Sequence, residues 1–336
     1  MKKRYFEEID GIRFYVFLLI LINHTGIWNK SQGHTFFFML SGFLIGYSSF
    51  NDIAKHGKFS LKRYLIRRIL RTFPLYFLIV LFCGFSYIIL KGFGKTITLD
   101  GYWSYFFFLH NYFVGDSLFI LKNLWAMAVT EQLYFFWGIL IFYLQRRILK
   151  FIVFLIVFFT GLAFFTGFIS WNIYENTLVY SGIYLLGAYC GLLSHKKDWV
   201  YHFASNSNII QSSFFIILSL LIALLGFMMS DEFFVLREYI LAFGFWGFLT
   251  FICYSNITRN SLMNNRVVKY LGKISYGLYC YHAIVITLVT QLFALKQFTY
   301  SAPGLFCICL IITILVAIVS YEFYEKRFLS MKRALR

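Results

Sequence analysis

The sequence predicts an all-α polytopic membrane protein with about ten transmembrane helices and both termini in the cytoplasm. Three observations carry that prediction. Of the 336 residues, 60% are hydrophobic, 23% aromatic and only 13% charged, against about 25% charged in a soluble domain. Apolar runs of about 20 residues, the length that crosses the hydrocarbon core, recur along the chain. The cations are confined largely to alternate connecting segments, as the positive-inside rule requires.

The predicted spans are roughly 11–29, 33–50, 73–91, 129–145, 150–169, 176–195, 209–229, 235–254, 275–296 and 303–324. Segment 102–114 is apolar but too short to span, and reads as a re-entrant or interfacial piece. With the N-terminus inside, 24 of the 31 Lys and Arg fall on inner segments. Six fall outside: Lys30, Lys91, Lys95, Lys122, Arg237 and Lys296. The net charge of +17 is therefore a topology signal and gives no reason to invoke nucleic acid. The first span follows Met1-Lys2-Lys3-Arg4 without a small-residue cleavage site, so no signal peptide is expected. No repeat, linker or low-complexity tail interrupts the chain. The expectation is one membrane domain over 1–336, with the lipid bilayer as its partner and no appended soluble domain. The six cysteines (Cys83, Cys190, Cys253, Cys280, Cys307 and Cys309) lie in or beside apolar runs without a CxxC pair. Buried, inert thiols are expected, with no disulfide framework and no metal site.

Arg13 and His24 lie eleven residues apart in the first span. Eleven residues of helix rise roughly 16 Å with a net rotation of about 20°, so both side chains face one way. Two ionisable groups on one face of an apolar helix point to a lined cavity. The plainer reading has Arg13 snorkelling to the headgroups and His24 at the opposite interface. In the second span, Ser41-Gly42 allows a neighbouring helix to approach closely; the functional alternative places Ser41 in the cavity with His24. The loop before the third span holds Arg68 and Arg71, three apart and so on one helical face. Paired guanidinium forks suit phosphates, although a basic inner loop also serves topology and anionic lipid. Pro74 marks a break or a first helical turn. Glu131 is the carboxylate clearly inside an apolar segment and requires a partner there. His282 is a second buried imidazole, either a satisfied core residue or a participant.

Six stretches, in order, make the chain resemble the membrane-bound acyltransferase family 3. Asp10-Gly11-Ile12-Arg13 through His24 is similar to the family's Arg-x10-His opening. Phe37 to Ile45 is similar to its Phe-x-x-Ser-Gly-Phe-Leu-Ile stretch. Arg68-Ile69-Leu70-Arg71 leading to Pro74 and Tyr76 is similar to its Arg-x-x-Arg segment. Leu124-Trp125 through Glu131-Gln132-Leu133-Tyr134 is similar to its Leu-Trp…Glu-Gln-Phe-Tyr motif. Ser275 to His282, with Tyr324-Glu325-Lys326, is similar to its last two signatures. The chain departs from the pattern at Ala126, Ala128, Thr130 and Arg327.

The resemblance implies an O-acyltransferase of the bacterial inner (plasma) membrane. It would move an acyl group, acetyl first of all, from cytosolic acyl-CoA to a hydroxyl of a surface or secreted carbohydrate, lipid-linked or free. The implied catalytic residues are His24, Arg13 and Glu131. Arg68, Arg71, Tyr76 and Ser41 are implied on the acetyl-CoA side; Trp125, Tyr134 and His282 on the acceptor side. An alcohol needs a base near neutral pH, and imidazole suits that task or a transient acyl-carrying one. A transporter or flippase for a glycan or lipid-linked sugar is the competing class. It would also explain buried His, Arg and Glu, but predicts repeated halves or paired broken helices, which the sequence does not display.

Overall fold

The computed structural model describes residues 6–28, 33–92, 100–113, 119–169, 173–255 and 265–334. Every regular element among them is helical. The long helices are α1 (Glu7–His24), α2 (Gly33–His56), α3 (Leu61–Gly92), α4 (Trp125–Leu144), α5 (Ile148–Ile169), α6 (Thr177–Lys196), α7 (Ile209–Met228), α8 (Phe234–Tyr254), α9 (Ser275–Leu295) and α10 (Ala302–Ser320). A π-helical turn, Tyr321–Glu325, leads into the short α11 (Lys326–Ala334). Segment 102–114 contains a 3-10 turn (Tyr102–Phe107) and one turn of α-helix (His110–Phe113), too short to span.

Seven stretches among the described residues are long and apolar enough to cross a bilayer. One of them, Ile120–Ile169, runs 50 residues and contains both α4 and α5. The chain is a multi-pass membrane protein. Helices α1 and α2 are long enough but less apolar. Glu7, Glu8, Asp10 and Arg13 charge the first turns of α1, and Ser48, Ser49, Asn51 and Asp52 dilute α2.

Helix starts follow local chemistry. Asn208 and Gln211 form a capping box at α7, and Asn176 caps α6 by accepting from the Leu178 amide. Ser301 caps α10, with Pro303 in the first turn, where a missing N–H costs nothing.

Helix α3 corrects an expectation. The basic stretch expected as a loop before residue 73 is helical from Leu61 onward, and Pro74 lies inside the helix. Leu, Lys and Arg are good helix formers, and no glycine interrupts 61–71. Proline deletes one backbone hydrogen bond and crowds the carbonyl four residues back, yet 32 residues of helix carry through it.

The chain forms two compact units. The first comprises Met1–Val16, Gln32–Leu61 and Leu133–Gly272; the second comprises Phe17–Ser31, Lys62–Gln132 and Lys273–Arg336. In the first, α2 and α6 meet backbone to backbone. A Cβ on Gly42 would fall 2.0 Å from the Tyr184 carbonyl oxygen, and one on Gly187 2.1 Å from that of Met39. Trp137 is fully buried and its Nε1 donates to Ser49 Oγ at 3.2 Å. On α8, Arg237 and Glu238 are both buried and pair at 3.1 Å; Arg237 also bonds Asp231, and Thr35 donates to Glu238. Glu131 is therefore not alone as an intrahelical carboxylate.

In the second unit, tyrosine hydroxyls tie helices to backbone carbonyls. Tyr276 donates to the Thr72 carbonyl at 2.6 Å and Tyr324 to that of Pro74 at 3.2 Å. Tyr102 donates to the Val80 carbonyl at 2.8 Å, and Tyr76 to that of Tyr105 at 2.9 Å. Each such bond contributes about 1 kcal/mol net, and together they tie α3 to α9, to the π turn and, twice, to the 3-10 turn. Five cysteines are buried as expected; Cys307 instead lies on an exposed face of α10.

Candidate active site

The second unit gathers most of the candidate residues. His24 ends α1 half-buried, and its ring lies against that of His282 on α9, centroids 5.2 Å apart and planes 63° from parallel. His282 is 1% exposed. Its Nδ1 is 2.5 Å from the Tyr279 carbonyl oxygen. A carbonyl only accepts, so that bond assigns the proton to Nδ1 and leaves Nε2 with a free lone pair. Nε2 is buried and has no hydrogen-bond partner among the described residues. Leaving a buried acceptor unpaired costs about 1–3 kcal/mol. Such atoms are rare in folded proteins, and each calls for a reason. Phe17 meets His282 edge-on at 6.2 Å, and the Tyr279 hydroxyl donates to the Asn123 carbonyl at 2.5 Å, which fixes the turn carrying His282.

A second polar group lies on α3 and α4. Arg68 and Arg71 are half-buried one turn apart. Glu131, on the part of α4 that belongs to this unit, has both arginines as electrostatic partners and Thr72 beside it. The Thr72 hydroxyl also donates to the Arg68 carbonyl at 3.0 Å. Glu131 Oε1 is out of solvent and unpaired among the described residues. Arginines sharing a face with a carboxylate behind them form a cradle for anionic oxygens, because a guanidinium fork has five donors.

Other candidates have structural neighbours. Tyr76 is fully buried, its hydroxyl on the Tyr105 carbonyl and 3.4 Å from His110 Nδ1. Trp125 is buried at the first turn of α4. Arg13, Ser41 and Tyr134 belong to the first unit. There Arg13 bonds Asp10 Oδ1 at 3.2 Å, a partner one turn away that the sequence reading passed over. Arg13 and His24 share the single helix α1, which begins in the first unit and ends in the second. Ser41 is half-buried beside Gly42, and Tyr134 packs edge-on to Tyr184 at 6.2 Å.

Two titratable groups had no role in the sequence reading. Burial pushes the His110 imidazole, in the short segment outside the spans, down to about 4. Glu325 is 7% exposed in the π turn. An apolar groove of about 490 Å³, walled by Leu78, Phe82, Leu288, Ile312 and Val316 with Tyr281, contains none of the candidate residues.

Comparison with known proteins matches residues 6–322 to the family model described as Acyltransferase domain, Acyl_transf_3. The chain belongs to acyltransferase family 3. Among family relatives, the Staphylococcus aureus (strain COL) protein SACOL0978, named provisionally as an O-acetyltransferase, is 27% identical over 97% of the chain and 58% of its own length. The Peptidoglycan O-acetyltransferase OatA of Listeria monocytogenes serovar 1/2a is 25% identical over 96% of the chain and 56% of its own length. The O-acetyltransferase OatA of Staphylococcus aureus (strain NCTC 8325) is 25% identical over 96% and 57%. This acyltransferase-3 chain thus spans a little under three-fifths of the length of the curated relatives it matches. No solved structure matches it.

Proposed function

We propose that this chain is an integral membrane O-acetyltransferase that moves an acetyl group from cytosolic acetyl-CoA to a carbohydrate hydroxyl. The observation that carries the reading is the His24–His282 pair, one imidazole half-buried and the other presenting an unpaired Nε2. Membership of the acyltransferase family supports it. The name of the Listeria relative makes peptidoglycan the first acceptor to test. Ten spans with both termini in the cytoplasm belong to the same proposal.

The donor group supplies an activated thioester when bound. Arg68 and Arg71 would hold its phosphates, a fit supported by two half-exposed guanidiniums backed by Glu131. His24 takes the proton of the attacking hydroxyl as that oxygen bonds the acyl carbon, and returns it to the departing sulfur. The alternative role for His24 is to carry the acyl group itself. His282 Nε2, a pure acceptor, receives a hydrogen bond from a second hydroxyl of the acceptor and so orients it. Arg13, bonded to Asp10 in the first unit, is kept as the charge-stabilising residue on the family resemblance alone. Tyr76 on the donor side and Trp125 on the acceptor side complete the proposed contacts in the second unit, while Ser41 and Tyr134, in the first unit, keep their donor and acceptor roles on the resemblance alone.

The test is glycan O-acetylation in cells lacking the chain, rescued by the natural sequence or by His24→Ala at matched membrane abundance. Restoration by the natural sequence and a loss of at least 100-fold with His24→Ala is the expected result. Equal rescue by the variant removes His24 from the chemistry. Translocation of an unacetylated glycan in place of ester formation would establish the transporter class instead.

A further inference from the structure

Glu325 is a buried carboxylate that the mechanism above does not use. It closes the π turn Tyr321–Glu325 between α10 and α11. The π-helix is rare, appears mostly as single turns inside α-helices, and is frequent at functional sites. Three features of the second unit hold the carboxylate in place. Its Oε1 accepts from Ser320 Oγ at 3.2 Å, and Ser320 Oγ in turn accepts from the Tyr281 hydroxyl at 3.0 Å. Gly277 on α9 leaves the space: a Cβ there would lie 3.1 Å from Oε1. The Tyr324 hydroxyl, one residue before Glu325, donates to the Pro74 carbonyl, three residues past Arg71.

This geometry brings the last acidic residue of the chain to the arginine helix. Arg71 is an electrostatic partner of Glu325 and of Glu131 alike. A guanidinium on a flexible stem held by one carboxylate can still swing. A second carboxylate, fixed on another element, restricts its plane and leaves further N–H donors for a ligand. Two carboxylates also offset the mutual repulsion of Arg68 and Arg71 while the site awaits an anion.

We propose that Glu325 is a positioning residue that orients Arg71 toward the phosphates of a nucleotide-bearing thioester donor. The proposal rests on the acyl-CoA reading. It predicts that loss of Glu325 weakens recognition of the nucleotide end of the donor.

The experiment uses the full chain in detergent or nanodiscs and measures free thiol released from two donors. One is acetyl-CoA; the other is acetyl-N-acetylcysteamine, a thioester without phosphates. The natural sequence should favour acetyl-CoA through a lower KM. Glu325→Gln should shrink that preference about tenfold, through KM and not kcat. Glu325→Asp, which keeps the charge, should recover part of it. The rise in melting temperature that coenzyme A gives the natural sequence should fall in Glu325→Gln in the same order. An equal loss on both donors, or an unaltered preference, overturns the positioning role. If Glu325→Gln does not fold, the decision falls to Glu325→Asp: a change in preference supports the role and no change overturns it. A natural sequence indifferent to the two donors overturns the acyl-CoA reading, and the proposal with it.

Discussion

His110 is 3% exposed and lies nearly flat against Tyr105, ring centroids 4.1 Å apart and planes 13° from parallel. Burial holds its pKa at about 4, below the ordinary 6.5, so the neutral ring is the folded form. The unfolded chain therefore binds the extra proton first as pH falls. The stability that His110 contributes is fully present above pH 6.5 and is lost between pH 6.5 and 4, up to about 3 kcal/mol. The melting temperature in detergent should drop over that window, and His110→Gln should flatten the drop. Parallel slopes in the two proteins would assign the transition to another group. Residue pairings of this kind were the least legible part of the sequence. Glu131 was visible because it stands alone in an apolar run. Glu238 sits beside Arg237 and reads like a helix edge, and Glu325 lies among charges that resemble a cytoplasmic tail. The meeting of His24 with His282 joins residues far apart in the chain, and no local pattern encodes it.

Helix α6 carries Gly187-x-x-x-Gly191 and α2 carries Gly42-x-x-x-Gly46, the small-residue spacing that lets membrane helices approach closely. The Ser41-Gly42 pair was readable as a contact, but its partner was not, since small residues occur on several helices. Gly187→Ala would place a methyl group against the Met39 carbonyl, where backbone rather than a movable side chain must yield. The expected cost is about 1–3 kcal/mol, seen as a lower melting temperature. A neutral result would mean that α2 and α6 sit further apart in solution. Element limits were legible where a capping residue marks them: α7, with its Asn208 capping box, begins at the predicted residue. They were not legible for α3, because cations read equally as a loop and as an exposed helical turn.

Composition and the distribution of Lys and Arg made the membrane class legible at the scale of the whole molecule. Each of the ten predicted segments overlaps a helix of at least 18 residues, and seven stretches among the described residues are long and apolar enough to span. The division into two units, with α1, α3, α4 and the Arg266–Lys273 helix crossing from one to the other, has no counterpart in the hydropathy pattern. The proposed orientation rests on the charges. A fluorescent protein fused after Arg336 should fluoresce in the cytoplasm, and alkaline phosphatase at the same position should stay inactive. The reverse pattern would invert every inner and outer assignment made from the cations. The π turn has a consequence for chain length itself. It amounts to one surplus residue lodged in an otherwise continuous helix from Ala302 to Ala334. Deleting Tyr321 would let the backbone close into uniform α-helix, with better hydrogen bonding and a more rigid end. Because the wide turn absorbs that residue, the helix downstream would keep its rotational phase, and the change would be confined to the turn that carries Glu325.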